Sequence, residues 1–124
     1  MKQKVKKWVF AKLQASKDVV ALVGDRLFQA RTGAEQQAPL LVFSSFGMRY
    51  AHCKDCSFVE GMTFAVECIA TDADTADALA LAVKNTLNEC YIANIGDVFV
   101  QEEREEYVCE QETFVVSLFF NVEL

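Results

Sequence analysis

The residues that could carry chemistry in this chain are few, and the clearest group is His52-Cys53-Lys54-Asp55-Cys56. Two cysteines separated by two residues are typical of half a structural zinc site or of a redox pair. A closed zinc site needs four ligands, and the other three cysteines are isolated in the sequence. The pattern therefore favours two thiols at the tip of a hairpin and predicts no metal site, with Cys53, Cys56 and His52 as the alternative ligand set.

Catalytic chemistry receives little support from the remaining residue types. His52 is the only histidine, so a Ser–His or Cys–His nucleophile would have to use it. It adjoins Cys53, and adjacent residues of an extended chain point to opposite sides, which places them poorly for acting together. The five glycines are scattered and form no phosphate-binding loop. We predict no enzymatic activity, no catalytic residue and no cofactor; a weaker enzyme hypothesis would combine His52 with a carboxylate.

An acidic stretch stands out near the end of the chain. Residues 97–112 contain seven acidic residues and one base, Arg104, and the centre of the stretch consists of Glu102, Glu103, Glu105 and Glu106 around that base. Hydrolytic carboxylates normally lie in a cleft with shifted pKa values. Here the pattern favours an exposed strand or hairpin, whose charge protects a sheet edge from aggregation.

The charge distribution along the chain is uneven. The first 17 residues contain six lysines and no acid: Lys2, Lys4, Lys6, Lys7, Lys12 and Lys17. The net charge of −6 argues against general affinity for nucleic acid, which requires phosphate neutralisation. Basic and acidic surfaces on one small domain suit head-to-tail contacts between copies, although each run alone is also typical of a solvated surface.

Length and composition indicate one small folded domain, residues 1–124. The chain is 52 % hydrophobic and contains ten phenylalanines, enough for one core. Its apolar runs are far shorter than the roughly 20 residues of a membrane-spanning helix, and Lys12 and Gln14 interrupt any signal-peptide pattern. The odd cysteine count argues for free thiols, with Cys68 and Cys90 in or near the core. We therefore predict an intracellular protein without a membrane partner.

The periodicity of apolar residues predicts three helices. Val5, Trp8, Val9 and Leu13 share one face of the first helix. Ser16 caps a shorter second helix, and Gly24 ends it. Residues 27–30 look extended, and residues 31–39 form a polar loop closed by the only proline. A third helix begins with Thr71 as the candidate N-cap and ends near residue 88.

Alternating apolar residues predict the strands. They cover residues 40–46, 62–70, 98–100 and 114–124, with a polar hairpin around residues 52–56 and a turn near residues 110–112. The predicted fold class is α+β, with an antiparallel sheet of about four or five strands and two or three helices packed on one face.

Several stretches of the chain resemble a family of phage tail-completion proteins, also described as tail terminators or tail-to-head joining proteins. They comprise the first helix followed by residues 18–28, residues 38–43 after the polar loop, residues 66–84, which lead from a strand into a helix, and the terminal strand from residue 114. Together they span nearly the whole chain in the expected order.

The resemblance implies a ring-forming homo-oligomer, commonly of six subunits, that caps the tail tube and joins it to the head connector. Tail tube protein and head connector protein would be its partners, and DNA would pass through the ring without specific binding. Assembly would occur in the host cytoplasm, and the protein would end in the virion tail. The candidate residues for subunit contacts or the lumen are Arg31, Glu35, Glu102, Glu103, Glu105 and Glu106.

An electronegative lumen would repel DNA phosphates and let the genome slide through the ring. The resemblance brings no catalytic residues, and residues 52–56 have no counterpart in the family pattern. The alternative hypothesis is a small cytosolic binding or regulatory module with a metal-sensitive Cys53/Cys56 site.

Overall fold

The computed structural model of the chain describes residues 2–28 and 38–124. In chain order the elements are α1 (Lys2–Ala15), α2 (Lys17–Val23), β1 (Leu27–Phe28), β2 (Leu40–His52), β3 (Ser57–Ala70), α3 (Ala73–Leu87), β4 (Cys90–Ile92), β5 (Gly96–Val108) and β6 (Thr113–Glu123). Two of the predicted interface residues, Arg31 and Glu35, lie outside the described residues. None of the helices in the described residues is long and apolar enough to cross a membrane.

The sheet contains six strands in the order β1-β2-β3-β6-β5-β4, so the prediction of four or five strands is wrong. It is also not wholly antiparallel, because β1 pairs with β2 in parallel through Leu27 and Leu41. Both strands missing from the predicted sheet, β1 and β4, are only two and three residues long. Residues 27–30 look extended in the sequence, but segments as short as β1 and β4 are too short for an alternating pattern to place them in a sheet.

The two N-terminal helices form for the reasons that the sequence indicates. Val5, Val9 and Leu13 are buried along one side of α1. The hydroxyl of Ser16 accepts a hydrogen bond from the backbone N–H of Val19 and caps α2. Gly24 ends α2 with φ at 61°, a conformation that costs glycine little.

The start of α3 differs from the prediction, because Asp72 and not Thr71 is the N-cap. The Asp72 carboxylate accepts hydrogen bonds from the Thr75 backbone N–H at 2.9 Å and from its hydroxyl at 2.8 Å. These two bonds lower the pKa of Asp72. A carboxylate at this position accepts from the free N–H groups and also interacts favourably with the helix dipole, so it is the better cap. Asn88 ends the helix as predicted.

The three helices contribute their buried residues to a core on one face of the sheet, called here the helix-covered face. Phe64 of β3 stacks on Phe43 and Phe120, with ring centroids 5.6 Å and 5.0 Å apart. The predicted alternation of β3 and β6 is confirmed, because the even-numbered residues 62–70 and 116–122 are buried on this face. The opposite face, called the helix-free face, carries a smaller buried cluster of Leu40, Val42, Ile69 and Val115.

The β2–β3 hairpin extends beyond the sheet. β3 pairs with β6 only from Gly61 to Ala70, so residues 50–60 form a two-stranded projection, called here the arm. At its tip Cys53 and Cys56 are joined in a disulfide, with 5.2 Å between their Cα atoms. The prediction of free thiols is therefore wrong for this pair. The tight turn brings the two Cα atoms into the range that a disulfide bridges.

Candidate assembly surfaces

The acidic stretch lies on β5 at the edge of the sheet. β4 covers only residues 96–98 of β5, and no other strand of the described residues pairs with the outer side of residues 99–108. Residues 101–107 are exposed. This placement confirms the prediction of an exposed acidic strand and leaves a row of unpaired backbone groups beside the charges.

A β-bulge at Gln101 decides where the four glutamates point. Val100 opposes Phe120, whereas Glu102 opposes Phe119, so one residue of β5 is extra. Beyond the bulge, Glu103 and Glu105 share the helix-covered face. Glu102 and Glu106 share the helix-free face, together with Phe119 and Val115. The structure therefore does not bring the four predicted residues onto one surface.

Two of the four glutamates are paired with bases. Lys84 of α3 places its Nζ 2.9 Å from Oε1 of Glu103, which ties the helix layer to the strand edge. Arg104 places its Nε 2.8 Å from Oε1 of Glu102 and its guanidinium 5.7 Å from the centre of the Phe119 ring. Exposed ion pairs of this kind contribute little to the free energy of unfolding. Their main effect is to orient the charged side chains.

Glu105 has a different neighbour. Its carboxyl group lies within hydrogen-bonding distance of the Asp77 carboxyl group on α3, and this contact raises the pKa of Glu105. Like charge from Asp77 adds to the effect. The sequence offers one signal for this arrangement, because Asp77 and Lys84 are seven residues apart and therefore lie on one side of α3. Only the tertiary structure shows that this side faces β5.

The six N-terminal lysines lie on the first two helices, α1 and α2. Lys2 and Lys6 of α1 each place Nζ 5.7 Å from the centre of the Phe46 ring on β2. Lys4 donates a hydrogen bond of 2.9 Å to the carbonyl oxygen of Ala93, beside β4. The predicted separation of charge is therefore a separation between the helix layer and the β5 edge.

The helix-free face is acidic overall. The strands place five carboxylates and two guanidinium groups on it: Asp97, Glu67, Glu102, Glu106, Glu123, Arg49 and Arg104. Arg49 crosses β3 at Gly61, where a Cβ atom would collide with its guanidinium, and its Nη2 lies 3.6 Å from Oε1 of Glu123. A side chain at position 61 would have to displace this guanidinium from its place over β3.

His52 and the two cysteines of the arm lie at the opposite end of β3 from the contact between Asp77 and Glu105. A cavity of about 240 Å³ between α3 and the β5–β6 hairpin includes both of those carboxylates, and His52 does not line it. No group of three or more His, Cys, Asp or Glu side chains in residues 2–28 and 38–124 is placed to hold a metal ion. In the disulfide, Cys53 and Cys56 have no thiolate to offer as ligand.

Similarity to known proteins agrees with the architecture. No curated protein sequence matches the chain significantly. A solved structure described as "Virion of native gene transfer agent (GTA) particle" contains a chain with a TM-score of 0.79 and 18% sequence identity, covering 93% of this chain and 90% of that one. At that identity the likeness is one of fold. The family model described as "Tail completion protein gp17" matches residues 7–122. The chain belongs to this family of tail completion proteins and is a structural protein of a phage-type tail.

Proposed function

We propose that the chain is the repeating subunit of a homo-oligomeric ring that caps the tail tube and joins the tail to the head. The observation that carries the proposal is that β1 and β4, the short outer strands of the sheet, leave most of the outer edge of β2 and of β5 without a neighbouring strand among the described residues. On one side, residues 99–108 of β5 have no strand beside them within the described residues. On the other side, β1 pairs only with Leu41 and Val42, which leaves residues 43–52 of β2 without a neighbouring strand among the described residues.

Two different edges on opposite sides of one domain favour head-to-tail association. Contacts between unlike surfaces generate closed rings when the rotation between copies closes. The family resemblance favours six copies. The similar fold of a chain in a gene transfer agent virion agrees with a role inside a multi-subunit particle.

In this ring we place the helix-free face toward the lumen. Its five carboxylates outnumber its two guanidinium groups, so its field would repel DNA phosphates and let the genome pass without sticking. Glu102 and Glu106 would contribute to this lining. Glu103 and Glu105 point to the helix side and would instead lie near a subunit contact.

The chain also offers two distinct ends for its other partners. The arm projects from one end of the sheet, and the turn at residues 109–112 projects from the other. A subunit between tail tube protein and head connector protein needs opposite surfaces of this kind. We propose assembly in the host cytoplasm as a single-domain protein. No observation specifically favours the metal-sensitive regulatory module.

The first experiment is native mass spectrometry on freshly reduced protein across a concentration series, alone and with tail tube protein. We expect a discrete ring-sized species without metal, formed either by the protein alone or on the tube. In parallel, particles produced without this chain should have tails of irregular length that do not join heads. Tails of normal length joined to heads in its absence would contradict the proposal.

A further inference from the structure

We propose that neighbouring copies are joined strand to strand, the outer edge of β2 in one copy pairing antiparallel with the outer edge of β5 in the next. This inference rests on the proposed ring and names the contact that would build it. The pairing would make one sheet continuous through the assembly. It would also satisfy the backbone groups at these two edges that no strand of residues 2–28 or 38–124 pairs within one copy.

The hydrogen-bond pattern shows which β5 residues offer their backbone to a neighbour. Val98 accepts from Glu89, and the N–H of Val100 donates to Asn88 at 2.8 Å, so both residues point their backbone away from β6. In an antiparallel ladder, successive residues point their backbone groups alternately toward and away from the neighbouring strand. Because the bulge adds one residue, the residues beyond it whose backbone groups point away from β6 are Glu103, Glu105 and Tyr107. These three residues present the free N–H and C=O groups.

The same reasoning applies to β2. Leu41 donates to Arg26 on the β1 side, and Cys53 exchanges backbone hydrogen bonds with Cys56 on the β3 side. Between Leu41 and Cys53 the backbone N–H and C=O groups of β2 point alternately toward β3 and away from it, with one extra residue at the bulge at Ser44. The even-numbered residues 46–52, beginning with Phe46, therefore point their backbone groups away from β3.

The outer edges of β2 and β5 match in strand direction and in the face on which their side chains lie. Because β2 pairs antiparallel with β3, β3 with β6 and β6 with β5, strands β2 and β5 run in opposite directions. Outward backbone groups on both edges belong to residues whose side chains lie on the helix-covered face. Antiparallel pairing of the two edges therefore keeps the helices of neighbouring copies on the same side of the sheet.

Charge on the helix side favours pairing of unlike edges. Lys2 and Lys6 lie over Phe46 at the β2 edge, whereas Glu103 and Glu105 stand at the β5 edge. Joining β2 to β5 brings lysines toward glutamates, and a cation there would offset the repulsion between Glu105 and Asp77. Two β5 edges brought together would instead oppose their glutamates, which disfavours a symmetric dimer through this strand.

The test replaces one outward N–H. Glu105→Pro removes a donor from the free edge while leaving the hydrogen bonds between β5 and β6, a position where edge strands tolerate proline. Glu105→Gln is the matched control, because it removes the charge and keeps the N–H. We expect at least a tenfold higher concentration for ring formation by Glu105→Pro than by Glu105→Gln in native mass spectrometry, with tail tube protein if the wild type requires it.

Hydrogen exchange on the wild-type chain gives an answer that does not depend on folding of the proline variant. The amides of Glu103, Glu105 and Tyr107 should exchange freely in the monomer and become protected on assembly. Tyr50→Pro is the corresponding variant on the β2 edge. Unchanged ring formation by both proline variants, or unprotected amides in the assembled wild type, would overturn the strand pairing and leave the ring proposal standing. Failure of the wild type to form rings even on tail tubes would overturn both.

Discussion

The carboxyl groups of Asp77 on α3 and Glu105 on β5 lie within hydrogen-bonding distance of each other, which raises the pKa of Glu105. An acid with a raised pKa in the folded state binds its proton more tightly there than in the unfolded chain. The stability that this contributes is present below the ordinary pKa of 4.5 and is lost as the pH rises through the higher, folded value. The pair is therefore a source of repulsion at neutral pH.

Replacing one of the two carboxyl groups should stabilise the isolated subunit near neutral pH. We expect Asp77→Asn to raise the Tm at pH 7, with the gain shrinking as the pH falls through the range in which Glu105 becomes protonated. Thermal unfolding followed by circular dichroism at pH 7 and pH 4 measures this. Asp74→Asn, which removes a carboxylate from the same helix, is the control and should not raise the Tm. A Tm gain for Asp77→Asn that is independent of pH would contradict this explanation.

The N-cap of α3 gives a second prediction. Asp72→Ala should lower the Tm, because the backbone N–H and hydroxyl of Thr75 lose their acceptor. Asp72→Asn should keep most of the stability, and Thr71→Ala should change the Tm little. Since the hydrogen bonds lower the pKa of Asp72, the contribution of its charge is present above 3.8 and is lost as the pH falls through the lower, folded value. Equal effects of Thr71→Ala and Asp72→Ala would show that the cap is misassigned.

The stacked phenylalanines of the core give a third prediction. Phe120 is fully buried against Phe64, so Phe120→Ala should lower the free energy of unfolding by about 3–5 kcal/mol. Tyr91 is 64% exposed on β4, so Tyr91→Ala should change the free energy of unfolding by roughly 0.5 kcal/mol or less. Urea unfolding of the two variants compares them directly. Similar losses in both would mean that the core is not centred on this stack.

The cysteines differ in the access and acidity of their sulfur atoms. Cys109 is exposed, and Cys90 is partly buried with its Sγ 3.2 Å from the Thr86 carbonyl oxygen. Cys68 is buried, and burial, with Glu103 a smaller cause, raises the pKa of its thiol far above the usual value. Thiolates are the reactive species, so iodoacetamide should label Cys109 first, Cys90 more slowly and Cys68 only after unfolding.

Mass spectrometry of the labelled protein, with and without a prior reduction step, measures this order and tests the disulfide as well. Cys53 and Cys56 should take label in the folded chain only after reduction. Rapid labelling of Cys68 in the folded protein would contradict its buried position.

Periodicity in the sequence predicted what depends on neighbouring residues alone. The alternation of β3 and β6 and the apolar stripes of α1 and α3 are local consequences of two-residue and 3.6-residue repeats. For the same reason Ser16, Gly24 and Asn88 could be recognised at helix ends. The resemblance to tail completion proteins depends on this ordered set of core patterns and is confirmed by the family match over residues 7–122.

Tertiary structure decided what depends on distant partners. The sequence shows four glutamates around Arg104, but only the pairing of β5 with β6, including the bulge at Gln101, divides them between two faces. Likewise β1 and β4 exist because longer strands stand beside them, and Asp77 meets Glu105 because α3 packs across β5. Local sequence sets the periodicity of a segment, whereas register and strand order arise from hydrogen bonds and packing between segments far apart in the chain.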